Sequence, residues 1–242
     1  MGTEQSIRPT QARHVMAEGT TMKAIVQDKY GEAEDVLRLE EIDRPVVGDD
    51  EVLLRVRAAG VDRGVWHVMA GLPYPLRLAG YGVRAPKNPV PGMDVAGVVE
   101  AVGKDVTRFQ PGDEVFGIGK GTFAEYACAR EDKLAPKPAH LTFEQAAVVA
   151  ISGLTALQGV RDRGQVQPAQ QVLVIGASGG VGTFAVQIAK AFGAEVTGVC
   201  STTKVDLVRS LGADHVIDYT RHDIVDAAQR YDVILDIGGT VR

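Results

Sequence analysis

One glycine-rich turn restricts the fold of this chain more than any other feature. Gln171 to Ile175 reads as a buried strand, and Val181 to Phe192 as a helix. Between and into that helix run Gly176-Ala177-Ser178-Gly179-Gly180-Val181-Gly182. Ala177, Gly179 and Gly182 stand at the spacing A-x-G-x-x-G, with Gly176 ahead of them. After a strand and at the opening of a helix, that spacing is a dinucleotide fingerprint. Gly176 supplies the sharp turn, Gly179 admits a pyrophosphate close to the backbone, and Gly182 lets the helix lie against the strand. The helix N-terminus then offers free N–H groups and a partial positive charge to phosphates. A tight turn without a ligand needs less flexibility than four glycines in seven residues provide. All seven residues from Gly176 to Gly182 are therefore expected to bind cofactor.

The type of dinucleotide follows from charge. An NAD site commonly places an acid at the end of the next strand, about 20 residues on. Here that place falls in Val199-Cys200-Ser201-Thr202-Thr203-Lys204, which has hydroxyls and a lysine but no acid. Glu195 lies at the wrong end of that strand. Hydroxyl donors and a cation suit a 2′-phosphate, so NADP(H) is expected, with Ser201 and Lys204 among its ligands.

The rest of the chain reads as two halves. From Met22 to about residue 140, short β-rich runs recur between turn signals: Met22–Gln27, Val52–Ala58, Asp94–Val102, Glu114–Phe116 and Gly121–Ala127. That rhythm suggests a barrel or sandwich. Only Arg63–Ala70 looks helical there, and a proline-rich loop runs from Pro73 to Pro91 as a candidate lid or acceptor-pocket wall. Near Thr142 the rhythm changes. Thr142 and Gln145 make a capping box ahead of an apolar helix over Ala146–Val160. Strands then alternate with helices: after the glycine turn and its helix come a strand at Glu195–Val199, a helix at Lys204–Leu211, a strand at His215–Ile217, a helix at Asp223–Arg230 and a strand at Tyr231–Ile237. This alternation predicts an α/β unit with a parallel sheet. Residues 1–21 are polar, lack the apolar core of a secretory signal, and read as a disordered leader.

Composition closes other routes. Apolar residues are 45% and charged residues 24%, as in ordinary globular chains. The net charge of −5 argues against a nucleic-acid-coating surface. No run reaches the ~20 apolar residues of a membrane span. Two cysteines, Cys128 and Cys200, make neither a disulfide framework nor a four-cysteine zinc site, and a cytoplasmic, reducing setting is expected.

Several stretches carry a resemblance: Ala58-Ala59-Gly60-Val61-Asp62, Pro91 to Val99, Gly112 to Gly117, Gly121 to Tyr126, Gly153-Leu154-Thr155-Ala156 and the glycine turn. Together they resemble the medium-chain dehydrogenase/reductase superfamily, in its zinc-free quinone oxidoreductase branch. The resemblance implies a GroES-like β-barrel over residues 22–140 and a Rossmann domain over 141–242, with substrate and nicotinamide in the cleft between them. It implies Thr155 at the nicotinamide end, and Lys204 and Tyr219 on the 2′-phosphate. Asp62, Trp66 and His67 match the cleft wall and are the candidate catalytic residues, His67 being the side chain most able to donate a proton near neutral pH.

Zinc-dependent relatives carry a cysteine after A-x-G-V and a later G-H-E. Here Asp62 and Gly92-Met93-Asp94 stand there instead, so no metal is expected. Without a Lewis acid, oxidation of an alcohol by an NAD(P)-dependent alcohol dehydrogenase is the weaker alternative. Hydride transfer from NADPH to a quinone or an activated alkene or carbonyl is the favoured function. Relatives are usually longer, and the chain stops just past the fourth strand of the parallel sheet, which would be a partial Rossmann domain. A non-catalytic NADPH-binding protein or an inactive fragment is therefore a competing expectation. A homodimer is considered for the full-length form, and an open edge is expected at Asp232–Leu235.

Overall fold

The computed structural model describes residues 20–222 and 230–238. The expected leader lies outside them except at its end, and the helix expected over Asp223–Arg230 lies outside them except for Arg230.

In the first half, β1 (Thr21–Val26) pairs antiparallel with β2 (Arg38–Asp43), across the short α1 (Ala33–Val36). Five more strands follow: β3 (Glu51–Ala59), β4 (Asp94–Val102), β5 (Glu114–Ile118), β6 (Tyr126–Arg130) and β7 (Leu134–Pro136). They form an antiparallel sheet in the order β6-β3-β4-β5-β7. Val52 and Leu54 alternate inward along β3 and pack on Val95, Val99, Val115 and Leu134. A bridge between Ala24 and Ala124 joins β1 to the approach to β6 and brings the two sheets together. This is the GroES-like unit the resemblance implies. The strand expected at Gly121–Ala127 starts only at Tyr126, because Thr122 and Phe123 give their amides to the Gly92 and Pro91 carbonyls instead.

Helix α2 (Arg63–Ala70) leaves β3 and ends at Gly71, in the left-handed region at φ 64°. The following excursion, Pro73 to Pro91, folds back rather than over the molecule. The Tyr30 hydroxyl donates to the Gly82 carbonyl at 2.6 Å, and Arg77 Nε donates to the Gly71 carbonyl at 2.9 Å while its guanidinium covers the Tyr30 ring.

The second half opens with the capping box as expected: Thr142 Oγ1 accepts from the Gln145 amide, and the Gln145 side chain accepts from the Thr142 amide. The single helix expected to follow is broken into α3 (Phe143–Ala146) and α4 (Ala150–Leu157), since Val149 turns tightly onto the Ala146 carbonyl. Four parallel strands then form one sheet: β8 (Gln171–Ile175), β9 (Glu195–Cys200), β10 (His215–Asp218) and β11 (Val233–Asp236). Helices α5 (Gly180–Ala191) and α6 (Val205–Ser210) cross between them. The order is β10-β9-β8-β11, so the chain reverses its winding between β8 and β11. Val172 and Val174 of β8, Val196 of β9 and Val186 of α5 are fully buried in one core that holds the glycine turn in register with the sheet.

Candidate functional site

Ligands of open parallel sheets lie outside the carboxyl ends of the strands, at the switch point. A cleft of about 1200 Å³ opens there, walled by the GroES-like unit on one side and the parallel sheet on the other. Ile175, Gly176, Ser178, Gly179, Gly180 and Val181 form its floor. The backbone of the turn has the shape its spacing suggested. Gly176 sits at φ 82°, where a side chain is strained, and a Cβ on Gly182 would collide with the Gly176 carbonyl oxygen. Ala177, fully buried, and Gly182 lie beneath the turn rather than in the cleft; they shape it.

Gly179 differs from both. Its backbone is extended (φ −81°, ψ 172°), and a Cβ there would meet only the Gly176 oxygen, at 3.4 Å. The space beside it is open cleft. Helix α5 carries no acid in its first turn, and its leading amides have no acceptor within the helix. A diphosphate fits this cradle.

At the far end of the cleft lie Ser201, Tyr219, Arg221 and His222. The loop bearing them is organised by Asp218, whose carboxylate accepts from Thr202 Oγ1 at 2.6 Å and from the Thr220 hydroxyl and amide. Those hydrogen bonds, from Thr202 and then Thr220, hold Asp218 below the usual carboxylate range. Asp218 therefore holds this loop together and is not among the residues lining the main cleft. Burial raises the Cys200 thiol, with the Asp218 charge adding, which makes it a neutral wall residue.

The near end is formed by Gly60, Asp62, Arg63, Gly64 and Asp94 of the GroES-like unit, with Ile151 and Ser152 of α4. Asp62 caps α2, its Oδ1 accepting from the Val65 amide at 2.8 Å. Asp94 is 1% exposed and its Oδ1 accepts from the Ile151 amide at 2.9 Å. Burial pushes Asp94 up to about 6; the Ile151 amide works against that rise, and the Asp62 charge adds to it.

Comparison with known proteins matches the two halves separately. The alcohol dehydrogenase GroES-like domain family matches residues 48–139, and the zinc-binding dehydrogenase family matches residues 180–241. The solved structure of a quinone oxidoreductase from Coxiella burnetii is 31% identical, with a TM-score of 0.82, over 90% of this chain and 69% of that one. The chain belongs to the medium-chain dehydrogenase/reductase family, in its quinone oxidoreductase-like branch. An NADPH-dependent alkenal/one oxidoreductase from the chloroplast of Arabidopsis thaliana is 38% identical over 90% of this chain and 58% of its own length. A mitochondrial NAD(P)H oxidoreductase of Mus musculus is 37% identical over 93% and 61%. The chain thus spans about three fifths of the length of these curated relatives.

Besides Ala177 and Gly182, four more of the expected site residues are not among those lining the cleft. Trp66 and His67 do not line the cleft. Only the first turn of α2 faces it; Trp66 lies under the Arg63 guanidinium, and His67 Nδ1 bonds the Leu72 carbonyl at 2.8 Å. Thr155 is exposed one turn farther along α4, its hydroxyl given to the Ile151 carbonyl, while Ser152 takes the cleft-facing place. Lys204 ends a 3₁₀ turn and caps α6, outside the lining residues. No residue of the Pro73–Pro91 excursion lines the cleft; the excursion is tied to Tyr30 instead.

Arg221, His222, Asp94 and Ser152 were missed. Arg221 and His222 lie two and three residues past Tyr219, and Asp94 stands where zinc-dependent relatives have the acid of G-H-E; both signals were present in the chain. Among the described residues, no three of His, Cys, Asp or Glu are grouped as a metal site, and no helix is long and apolar enough to cross a membrane.

Proposed function

We propose that this chain binds NADPH in the cleft and reduces a small electrophilic acceptor, a quinone or an activated alkene or carbonyl, without a metal. The observation that carries this reading is the glycine turn at the switch point, with open space beside Gly179 and a cation-bearing loop at its far end. The amides opening α5 would hold the diphosphate. Ser201, Tyr219 and Arg221 would hold the 2′-phosphate, with Arg221 in the part expected of Lys204. Bound there, the cofactor supplies the hydride. The relative that is named an NADPH-dependent alkenal/one oxidoreductase supports both the cofactor and the acceptor class.

The apolar wall of Val61, Val148, Ile151 and Phe184 would exclude water and hold a flat acceptor against the donor. The two buried free thiols, Cys128 and Cys200, fit a reducing compartment, of which the cytoplasm is one. The test is a fluorescence titration with NADPH and NADH, followed by absorbance assays with a panel of quinones and enones. Tight NADPH binding with oxidation on adding acceptor is expected. Binding without oxidation would leave a cofactor-binding protein, and equal affinity for NADH would remove the case for the 2′-phosphate.

A further inference from the structure

The excursion from Pro73 to Pro91 differs in charge from the rest of the molecule. The whole chain has a net charge of −5, yet no aspartate or glutamate stands between Asp62 and Asp94. Arg77, Arg84 and Lys87 all lie in the excursion. The same stretch puts apolar side chains into water: Leu78 is 77% exposed, Tyr74 68% and Val83 62%, and Tyr81 is exposed as well. Single exposed apolar residues are ordinary, whereas four within ten residues, interleaved with cations, mark an interaction surface.

The backbone of the excursion is braced with these side chains outward. Pro75 to Tyr81 is helical, and Tyr74 and Leu78 stand four residues apart across that turn. Arg77 serves as the brace: its guanidinium lies 4.3 Å from the centre of the Tyr30 ring and 5.0 Å from that of Tyr74. The Tyr30 hydroxyl holds the Gly82 carbonyl. Gly82, at φ 114°, turns the chain back, so that the Lys87 amide donates to the Tyr81 carbonyl at 2.8 Å. Leu78, Val83, Arg84 and Lys87 are therefore carried on a fixed loop, and a preformed surface of this kind gives up little conformational freedom when it docks.

We propose that this loop docks on an anionic lipid leaflet. Tyr74 and Tyr81 suit the headgroup level, and Leu78 and Val83 the acyl boundary beneath it. Arg84 and Lys87 answer the lipid phosphates and carboxylates while their stems lie along apolar groups. Negative charge is what this stretch lacks and what such a leaflet supplies, and each Lys or Arg held near it strengthens binding about fivefold. The chain's own acids limit the attraction. Glu32, Glu34 and Asp35 follow Tyr30 and oppose the leaflet, so neither the apolar tips nor the cations suffice alone. No residue of the loop lines the cofactor cleft, so the docking surface stands apart from the proposed redox site.

Vesicle co-sedimentation of the whole chain tests this, with vesicles of phosphatidylcholine alone and of phosphatidylcholine with about one-third phosphatidylserine. Binding to the mixed vesicles is expected to exceed binding to phosphatidylcholine about tenfold or more at about 0.1 M salt, and to fall at about 1 M. Two double variants separate the charged and apolar parts: Arg84→Gln with Lys87→Gln, and Leu78→Ser with Val83→Ser. All four positions are exposed, so the far-ultraviolet circular dichroism spectrum is expected to stay unchanged. Each double variant is expected to lose about tenfold or more of the binding to mixed vesicles. Equal binding to the two kinds of vesicle, no binding, or wild-type binding in either double variant overturns the proposal. A dimer in sedimentation that Leu78→Ser with Val83→Ser dissolves, without vesicle binding, overturns it too and assigns the surface to a second copy of the chain.

Discussion

The glycine turn separates two jobs that one sequence pattern merges, and paired substitutions pull them apart. In Gly182→Ala the new methyl would fall on the Gly176 carbonyl oxygen and within 2.8 Å of Ala177 Cα, both backbone atoms of a turn that cannot move without shifting β8. Overpacking of this kind costs about 1–3 kcal/mol, and alanine's advantage over glycine in a helix returns at most about 1 kcal/mol. A net loss of about 1–2 kcal/mol is expected. In Gly179→Ser the backbone is already extended, and the added Cβ meets only the Gly176 oxygen at 3.4 Å. Serine is a good N-cap, so stability should stay within about 0.5 kcal/mol of the wild type. Its side chain, however, occupies the open space of the cradle and takes up an α5 amide, and NADPH affinity should fall at least tenfold, about 1.4 kcal/mol. Urea denaturation followed by far-ultraviolet circular dichroism reads the first quantity, and NADPH fluorescence the second. The reasoning is refuted if Gly179→Ser loses as much stability as Gly182→Ala, or binds NADPH as the wild type does.

Three further outcomes are expected. Arg221→Gln should weaken NADPH about ten- to a hundredfold, the worth of a charge-assisted hydrogen bond, and leave NADH unchanged; parallel fluorescence titrations check it. Asp94 holds its proton more tightly in the folded chain than its ordinary 3.8, so stability should fall as pH rises from about 4 to about 6 and stay lower above. That rise corresponds to ~3 kcal/mol undiluted and about 1–2 kcal/mol once water in the open cleft screens it. Asp94→Asn should therefore gain on the wild type by that amount between pH 4.5 and pH 8, and a pH-independent difference in urea denaturation would contradict the assignment. Leu54→Ala, at a fully buried site in the β3 core, should cost about 2–5 kcal/mol in the same assay.

The elements legible in the chain are those whose signal is local. β4 begins and ends at Asp94 and Val102, and β8 at Gln171 and Ile175, as the apolar runs indicate. Thr142 and Gln145 close their capping box within four residues. The glycine turn is local too, since the φ of Gly176 and the contact of Gly182 both arise between residues a few positions apart. The elements misread are those set by docking. The helix expected over Ala146–Val160 breaks where α3 must lie on β4 and α4 on α5.

The site divides the same way. The sequence by itself determined the strand–turn–helix proposed to receive a diphosphate, because its glycines answer backbone requirements of nearby residues. Only the tertiary structure decided which side chains line one cleft: Asp94 and Asp62 from separate elements of one unit, Arg221 from the loop after β10, and Ser152 rather than Thr155, Trp66 or His67. A side chain's direction depends on how its helix or strand is rotated against partners far away in the chain, and that rotation is settled by packing of the whole core.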